Sequence, residues 1–270
     1  MEEIFAGHRP EYVFHAAAYK HVPMMEDNPK EAVQNNTYGT RVIADLAVKY
    51  GTKKFVMIST DKAVNPTNVM GCSKRICEIY CQALNTHQQT TQFVTTHFGN
   101  VLGSNGSVIP LFKEQIRRGG PITVTHPDII RYFMLIPEAC KLVLEAGTMG
   151  KGGEIFVFDM GKPVKIVDLA KRMIILSDAK DIEIQFTGLR DGEKLFEEVL
   201  SDKETTKPTP NAKIMIAKVR EYANDDIFRQ EEALYNASFT EDDMAIVKRM
   251  KAIVPEFISK HSVYEILDNV

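Results

Sequence analysis

Three consecutive side chains offer the clearest chemistry in this sequence. Thr60, Asp61 and Lys62 follow the apolar run 55–59, and Lys74 comes twelve residues after Lys62. Asp61 could serve as a general acid, Lys62 as a general base and Thr60 as a hydrogen-bond donor to a reacting oxygen. The alternative is a polar turn in which Thr60 and Asp61 only cap backbone amides. Spacing alone leaves both interpretations open.

The elements on either side place these residues at one edge of a sheet. Strands that are apolar throughout and joined by helices indicate a parallel sheet covered on both faces. Residues that follow the carboxyl ends of such strands face the ligand crevice of an α/β fold. We therefore expect the three polar residues to face a crevice. The predicted strands cover 12–17, 55–59 and 92–98, and the predicted helices cover 36–50 and 73–84.

The second half of the chain has a less regular pattern. The polar, proline-bearing stretch 201–211 is interpreted as a linker. Beyond it, Thr240 with Asp243 indicates the start of a helix that runs to about residue 253, before Pro255. The other predicted elements are helices over 108–118, 136–147 and 166–176 and strands over 155–158 and 182–186.

Composition excludes several classes of function. The 270 residues are 44% hydrophobic and 26% charged, as in an ordinary globular protein, and the net charge of −3 gives no general attraction to nucleic acid or anionic membranes. No apolar run approaches the ~18 residues of a membrane span, so we expect a cytoplasmic chain without such a span. Without a Cys-x-x-Cys pair or a histidine cluster, the cysteines predict reduced thiols and no metal site. They are Cys72, Cys77, Cys81 and Cys140.

Five ordered motifs together resemble one enzyme family. The motifs are HAAAYKHVPMME from His15, NNTYGT from Asn35, STDKAVNPTNVMGCSK from Ser59, FGNVLGSNGSVIPLF from Phe98 and GLRDGEKLFEE from Gly188. The resemblance covers roughly residues 5 to 200 and is to the nucleotide-sugar 4,6-dehydratases, which are extended short-chain dehydrogenase/reductases. Within that family it is to the capsular-polysaccharide branch that acts on UDP-N-acetylglucosamine.

The resemblance implies an internal redox cycle on a UDP-sugar. In the family, NAD or NADP oxidises the sugar at C4, water is eliminated across C5 and C6, and the hydride returns to C6. By position, Thr60 would bond the C4 oxygen, Lys62 would remove the C5 proton and Asp61 would protonate the departing C6 hydroxyl. Lys74 would hold the nicotinamide ribose.

The remaining site residues are also carried over from the resemblance. Arg190 would clamp the diphosphate with charge-assisted hydrogen bonds, and Glu193 would meet the uridine ribose. The other residues implied are His15, Ala16, Ala17 and Tyr19 along the cofactor, and Lys20 and Asn100 along the sugar nucleotide.

Two positions depart from the family pattern. Met70 stands where the usual tyrosine precedes Lys74, and a thioether cannot take a proton. The large, inner-membrane-anchored branch of the family also has methionine there. The acceptor of the C4 proton is then Thr60 through water, or Lys74. His97 replaces an arginine, which predicts weaker phosphate binding; the alternative is a half-buried histidine at a strand end.

The start of the chain predicts an incomplete fold. Residues 1–10 lead straight into what the resemblance makes the fourth strand, without the glycine-rich turn and first three strands. We therefore expect the C-terminal portion of a Rossmann-like parallel sheet with a smaller α/β substrate-binding subdomain. The expected domains are a partial dinucleotide-binding domain over 1–160, a substrate subdomain over 99–135 and 161–200, and a linker with a helical extension over 201–270.

An incomplete fold has consequences for binding. The first strand would present an unpaired hydrogen-bonding edge, and cofactor affinity would be low. We expect a truncated or split enzyme with little activity alone, completed by an upstream fragment or by a homo-oligomer. Two alternatives stay open: a UDP-sugar C4 or C5 epimerase, and a non-catalytic UDP-sugar-binding half-domain that needs a partner chain. Asp61 and Lys62 disfavour a simple C4 epimerase, which needs no acid and base for elimination.

Overall fold

The computed structural model describes residues 1–198, 206–217 and 226–268. The strands are β1 (Tyr12–His15), β2 (Lys54–Ile58), β3 (Gln92–His97), β4 (Asn100–Val101), β5 (Ile122–Val124), β6 (Ile130–Arg131), β7 (Phe133–Met134), β8 (Ile155–Phe158), β9 (Val164–Lys165), β10 (Ile184–Phe186), β11 (Thr206–Pro208) and β12 (Ile214–Ala217). The α-helices are α1 (Glu2–His8), α2 (Val22–Glu26), α3 (Pro29–Glu31), α4 (Gly39–Lys49), α5 (Val69–His87), α6 (Val108–Arg117), α7 (Ile136–Met149), α8 (Ile166–Leu176), α9 (Ile227–Ala237) and α10 (Asp243–Ile253).

A six-stranded sheet forms the centre of the molecule. Its strand order is β1-β2-β3-β8-β12-β11. The first four strands are parallel, with Phe14 opposite Val56, whereas β12 and β11 return antiparallel. The predicted α/β class with a parallel sheet is therefore confirmed. Within the described residues β1 pairs only with β2, and its Tyr12 and Phe14 are exposed.

Alternate strand residues supply a core on each face of the sheet. On one face Phe55 and Phe93 pack with Ile76 of α5. On the other face Val56 packs with Leu142 of α7. The two helices thus fix the height and tilt of the strands, and with them the position of the residues at the carboxyl ends.

Helix α5 begins earlier than the pattern predicts. We predicted a helix over 73–84, whereas the structure has Val69–His87. Asn68 caps it, because its Oδ1 accepts a hydrogen bond from the Gly71 amide at 2.7 Å. The earlier start brings Met70 and Lys74 onto the first turns of the helix.

Three other predictions of local structure differ from the fold. The predicted helix over 36–50 is a π-helical segment, Ala32–Tyr38, that continues into α4. The predicted linker over 201–211 lies partly outside the described residues, and its described part contains β11 of the central sheet. Asp242 rather than Thr240 caps α10, through the Ala245 amide at 2.8 Å. Strand β12 pairs with β8, far away in the sequence, and β11 pairs with β12. The polar residues of β11 do not indicate this arrangement.

A second, smaller core lies beside the cavity described below. The parallel pair β5 and β10 packs with α6 and α8 around Phe112, Ile122 and Ile166. The ranges assigned to domains stay predictions. In the described part of the chain no helix is long and apolar enough to cross a bilayer.

Candidate active site

A cavity of about 550 Å³ opens where β1, β2 and β3 end. Its walls include residues that directly follow each strand: Ala16, Ser59 and Phe98. The predicted site residues on the walls are Ala16, Tyr19, Lys20, Thr60, Lys62, Met70, Lys74, Asn100, Arg190 and Glu193. Residues from four of the five separate sequence motifs therefore meet at one place, and only NNTYGT contributes none to the wall.

Thr60, Asp61 and Lys62 form one hydrogen-bonded set. The Thr60 hydroxyl donates to Asp61 Oδ1 at 2.9 Å, and Lys62 Nζ donates to the same oxygen at 3.0 Å. Thr60 also caps the short 3₁₀ turn Asp61–Ala63, since its Oγ1 accepts from the Lys62 amide at 3.3 Å. The two interpretations of these residues, a capping turn and a proton-transfer set, therefore concern the same structure.

Thr60 and Lys62 line the cavity wall, whereas Asp61 lies behind them. It is 2% exposed, and its Oδ2 has no hydrogen-bond partner in the part of the chain described. Gly99 makes room for that oxygen, because a Cβ at Gly99 would lie 2.9 Å from it. The Asp61 amide also donates to the Phe98 carbonyl at 3.3 Å. Strand β3 and its following glycine therefore hold the acid in place.

A second carboxylate lies next to Lys62. Glu197 Oε1 is 3.4 Å from Lys62 Nζ, and Oδ1 of the sequence neighbour Asp61 is 3.0 Å from the same nitrogen. Burial disfavours the ammonium, but the charges of Asp61 and Glu197 outweigh burial and raise the pKa of Lys62 above its usual value. Lys62 is therefore protonated at neutral pH in this structure. Sequence analysis missed Glu197, which is 135 residues away from Lys62 in the chain.

Met70 and Lys74 lie on the wall supplied by α5. Both are buried, at 3% and 4% exposed. The Lys74 ammonium makes no hydrogen bond or ion pair within the described residues, so it is available to an oxygen-rich ligand. The structure brings the two residues together as the i, i+4 spacing predicts.

Asn36 joins the loop after β1 to this helix. Its Oδ1 accepts from the Tyr19 amide at 2.7 Å, and its Nδ2 donates to Ser73 Oγ at 2.9 Å. Because Asn36 is buried and fully engaged, it fixes the distance between the Tyr19 loop and α5. The motif NNTYGT thus contributes a positioning residue that spacing alone does not reveal.

His15 and Ala17 do not line the cavity. The His15 Nε2 lies 2.9 Å from Thr40 Oγ1 in a buried contact, whereas Ala17 is exposed. Burial, with a smaller effect from the nearby Lys74 charge, lowers the pKa of His15 to about 4. The ring is therefore neutral at pH 7. The cofactor contacts implied for His15 and Ala17 stay predictions.

The opposite wall carries the residues expected to meet the sugar nucleotide. Arg190 is exposed, and one of its nitrogens lies 3.4 Å from Glu193 Oε1. Lys20 Nζ donates to Ser104 Oγ at 3.3 Å, and Asn100 Nδ2 donates to the Tyr132 carbonyl at 3.3 Å. These cationic and amide groups reach solvent from one side, which suits a ligand with a diphosphate.

Arg131 is a further cation on this wall, but its donors are engaged. It donates to the carbonyls of Ile130 and Lys194, each at 2.8 Å, and lies 3.4 Å from Glu193. Arg131 thus shapes the 193–197 segment. The exposed Arg190 is the better candidate for a diphosphate.

His97 belongs to a buried network below the catalytic turn. Its Nε2 lies 2.6 Å from Glu78 Oε1, and the Ser59 hydroxyl donates to the same oxygen. Although burial opposes its charge, His97 and Arg75 lower the pKa of Glu78 to about 2. His97 does not reach the cavity, so the interpretation as a strand-end histidine fits its placement, and the ring is fully buried.

The C-terminal part of the chain contacts the loops that surround the site. Sequence analysis assigns no chemistry to this part. The amides of Ile258 and Lys260 donate to the carbonyls of Pro66 and Thr67 at 3.1 and 3.2 Å. The Lys260 carbonyl accepts from the Gly192 amide at 2.8 Å. One extended stretch therefore ties the loop that follows Lys62 to the loop that carries Arg190.

Comparison with known proteins identifies the family. Residues 1–219 match the family model described as "Polysaccharide biosynthesis protein". The chain belongs to this family. The Staphylococcus aureus capsular polysaccharide biosynthesis protein CapD is 54% identical over 92% of this chain and 42% of its own length. A UDP-glucose 4-epimerase from Rickettsia canadensis is 40% identical over 75% of this chain and 59% of its own length.

Solved structures show the same fold. Pen from Bacillus thuringiensis is 37% identical with a TM-score of 0.73, over 79% of this chain and 67% of Pen. A double mutant of the Streptomyces venezuelae dTDP-glucose 4,6-dehydratase DesIV, solved with NAD, shares the fold at 19% identity and a TM-score of 0.66, over 72% of this chain and 66% of that one. The Rossmann-like architecture expected from the motifs is confirmed. The chain spans about two fifths of the length of CapD.

Proposed function

We propose that this chain carries the catalytic and sugar-binding part of a nucleotide-sugar 4,6-dehydratase of the UDP-N-acetylglucosamine type, in surface polysaccharide synthesis. The observation that supports it most is the Thr60-Asp61-Lys62 set, joined through one carboxylate oxygen at 2.9 and 3.0 Å. A simple C4 epimerase needs no acid and base for elimination, whereas removal of water across C5 and C6 needs both.

The cofactor site fits the nicotinamide end of NAD or NADP. Lys74 offers a buried ammonium without a hydrogen-bond or ion-pair partner among the described residues, and ribose hydroxyls are suitable acceptors for it. Ala16, Tyr19 and Lys74 would hold this end of the cofactor, which supplies the hydride acceptor when bound. The proton transfers are carried out by side chains of the protein.

Each proton has a candidate donor or acceptor in the set. The Thr60 hydroxyl bonds the C4 oxygen, and Lys62, as the neutral amine, takes the C5 proton. Asp61 acts as the acid only after it has taken up a proton, and it lies behind Thr60; as this proton passes to the Thr60 oxygen, the Thr60 hydroxyl gives its own proton to the departing C6 oxygen. Met70 cannot accept the C4 proton, which leaves Thr60 through water, or Lys74 in its neutral amine form.

Product analysis tests the proposal. The protein is incubated with UDP-N-acetylglucosamine and NAD or NADP, both alone and with an added upstream segment that carries a glycine-rich turn. We expect a 4-keto-6-deoxy sugar nucleotide that has lost one water, and we expect Lys62→Met to abolish it. The proposal is contradicted if this product forms neither with the chain alone nor with the added upstream segment.

The second candidate is a UDP-sugar epimerase. It is favoured by the Rickettsia canadensis relative, which carries the name UDP-glucose 4-epimerase at 40% identity. The two activities differ in the mass of the product, because an epimerase conserves mass and a dehydratase removes water. A product of unchanged mass that still depends on Lys74 would select the epimerase.

A further inference from the structure

Glu197 occupies an unusual place on the cavity wall. Its side chain is 4% exposed, and its Oε1 lies 3.4 Å from Lys62 Nζ and 3.7 Å from Arg131 Nε. Its other oxygen, Oε2, is buried without a hydrogen-bond partner among the described residues. A buried carboxylate oxygen without a donor is costly, so this one invites a functional explanation.

The fold fixes Glu197 at this position. The residue before it, Phe196, bridges Ile130, and the Ile130 amide donates to the Leu195 carbonyl at 3.2 Å. Arg131 holds the same segment through the Lys194 carbonyl at 2.8 Å. The Glu197 carboxylate therefore belongs to a segment that an isolated β-bridge and backbone hydrogen bonds attach to β6, and not to a free loop.

We propose that Glu197 is a positioning residue for Lys62: together with Asp61 it holds the ε-amino group between two carboxylates, and it sets how readily Lys62 exchanges the proton that a base must first lose. The charged groups that face Lys62 are Asp61 at 3.0 Å, Glu197 at 3.4 Å and, beyond Glu197, Arg131. The part that concerns catalysis rests on the proposed function, whereas the part that concerns the charge of Lys62 does not.

The proton balance of the pair is simple. As an ammonium, Lys62 has no lone pair for the C5 proton. Loss of one proton from Nζ to solvent leaves a neutral amine beside the Glu197 carboxylate, and the total charge of the pair falls by one. The amine then takes the C5 proton and is an ammonium again. The negative charge of Glu197, whose Oε1 lies 3.4 Å from Nζ, opposes this loss and so sets the pH at which the amine forms.

Replacement of Glu197 by glutamine tests this. Glu197→Gln keeps the shape and removes the charge, so the pKa of Lys62 should fall by about one unit or more. The measurement is NMR titration of the lysine side chains in isotope-labelled protein, with the Lys62 signal assigned by its loss in Lys62→Arg. Glu198→Gln is the matched control, because Glu198 is exposed and pairs with Lys194 at 3.5 Å instead.

Activity provides the second measurement. If neutral Lys62 is the base, kcat rises with pH through the pKa of Lys62, and in Glu197→Gln this ascending limb should move to lower pH by the shift seen by NMR. Glu197→Asp, with its carboxylate withdrawn by one methylene, should lie between the two. A purely structural role would lower the Tm or the activity at every pH and leave the limb in place.

The outcomes separate the two proposals. An unchanged Lys62 titration in a folded Glu197→Gln protein overturns the inference, whatever the activity. If Glu197→Gln does not fold, an unchanged titration in Glu197→Asp overturns it as well. A shifted titration in a protein that forms no dehydrated product supports the charge coupling and rejects the proposed function.

Discussion

At the scale of single residues, the sequence identifies three polar side chains that the fold joins by hydrogen bonds, but it does not predict their surroundings. Thr60, Asp61 and Lys62 are adjacent in the chain, so a local pattern can reveal them. Glu197 and Asn36 become important only through folding, because each reaches its partner across a gap that no spacing rule covers. The burial of Asp61 behind Thr60 is likewise a product of the tertiary structure.

Gly99 is expected to be essential for the position of Asp61. A Cβ there would lie 2.9 Å from Asp61 Oδ2 and 3.4 Å from Met160 Cε. Gly99→Ala should therefore push the carboxylate away from Lys62 and destabilise the fold by about 1–3 kcal/mol. Denaturant unfolding and dehydration assays measure both effects. Gly7→Ala is the control, since nothing lies within 4 Å of its added carbon, and it should leave activity unchanged.

His15 should make stability depend on pH. Its pKa is lowered to about 4 in the folded protein from 6.5, so the unfolded chain binds the proton more readily. This contribution is fully present above pH 6.5 and is lost as the pH falls towards 4, by up to about 3 kcal/mol. Denaturant unfolding at pH 7.5 and 4.5 should show a smaller difference for His15→Gln than for the wild type. Replacement of the exposed His8 should leave the difference unchanged.

At the scale of elements, the sequence predicts those with strong periodicity and misses those that depend on distant partners. Strand Ile155–Phe158 and helix Ile166–Leu176 agree with the predicted bounds, because continuous apolar runs and an amphipathic stripe are local signals. Strand Thr206–Pro208 is interpreted as linker because its residues are polar and its partner β12 joins the sheet only through the distant β8. Helix α5 gained its first turn from the Asn68 cap.

Gly71 allows the first turn of α5 to touch the catalytic turn. A Cβ at this position would lie 2.1 Å from the Lys62 carbonyl oxygen. Replacement of glycine by alanine inside a helix usually stabilises by up to about 1 kcal/mol, but Gly71→Ala should destabilise by about 2 kcal/mol or more, since backbone must move. It should also reduce activity strongly. Gly39→Ala in α4 is the matched control and should be neutral or stabilising, because its contact is at 4.0 Å.

At the scale of the whole molecule, the C-terminal stretch connects two loops that the sequence keeps 125 residues apart. It contacts Pro66 and Thr67 on one side and Gly192 on the other. Thr67 Oγ1 and Asn68 Nδ2 also donate to the Gly192 carbonyl, at 3.2 and 3.0 Å. No pattern in the sequence predicts this connection, because it consists mostly of backbone hydrogen bonds.

Removal of one backbone donor should loosen this connection. Lys260→Pro deletes the amide that donates to Thr67 and restrains the chain around the carbonyl that accepts from Gly192. We expect faster hydrogen exchange at the Gly192 amide and weaker binding of UDP, by about threefold to tenfold, measured by calorimetry. Lys260→Ala retains both backbone bonds and should behave like the wild type. Equal exchange rates at Gly192 in Lys260→Pro would refute the link.

The turn that carries Lys62 is restrained from three directions: the Phe98 carbonyl holds the Asp61 amide, Gly71 lies against the Lys62 carbonyl, and Ile258 holds Pro66. These contacts hold this side of the cavity in place. Residues 100–107 are held as well, because the amides of Asn100 and Leu102 donate to the carbonyls of Tyr132 and Met134 at 3.2 and 2.9 Å. The protein's own contacts thus preorganise the backbone that carries the Thr60, Asp61 and Lys62 side chains.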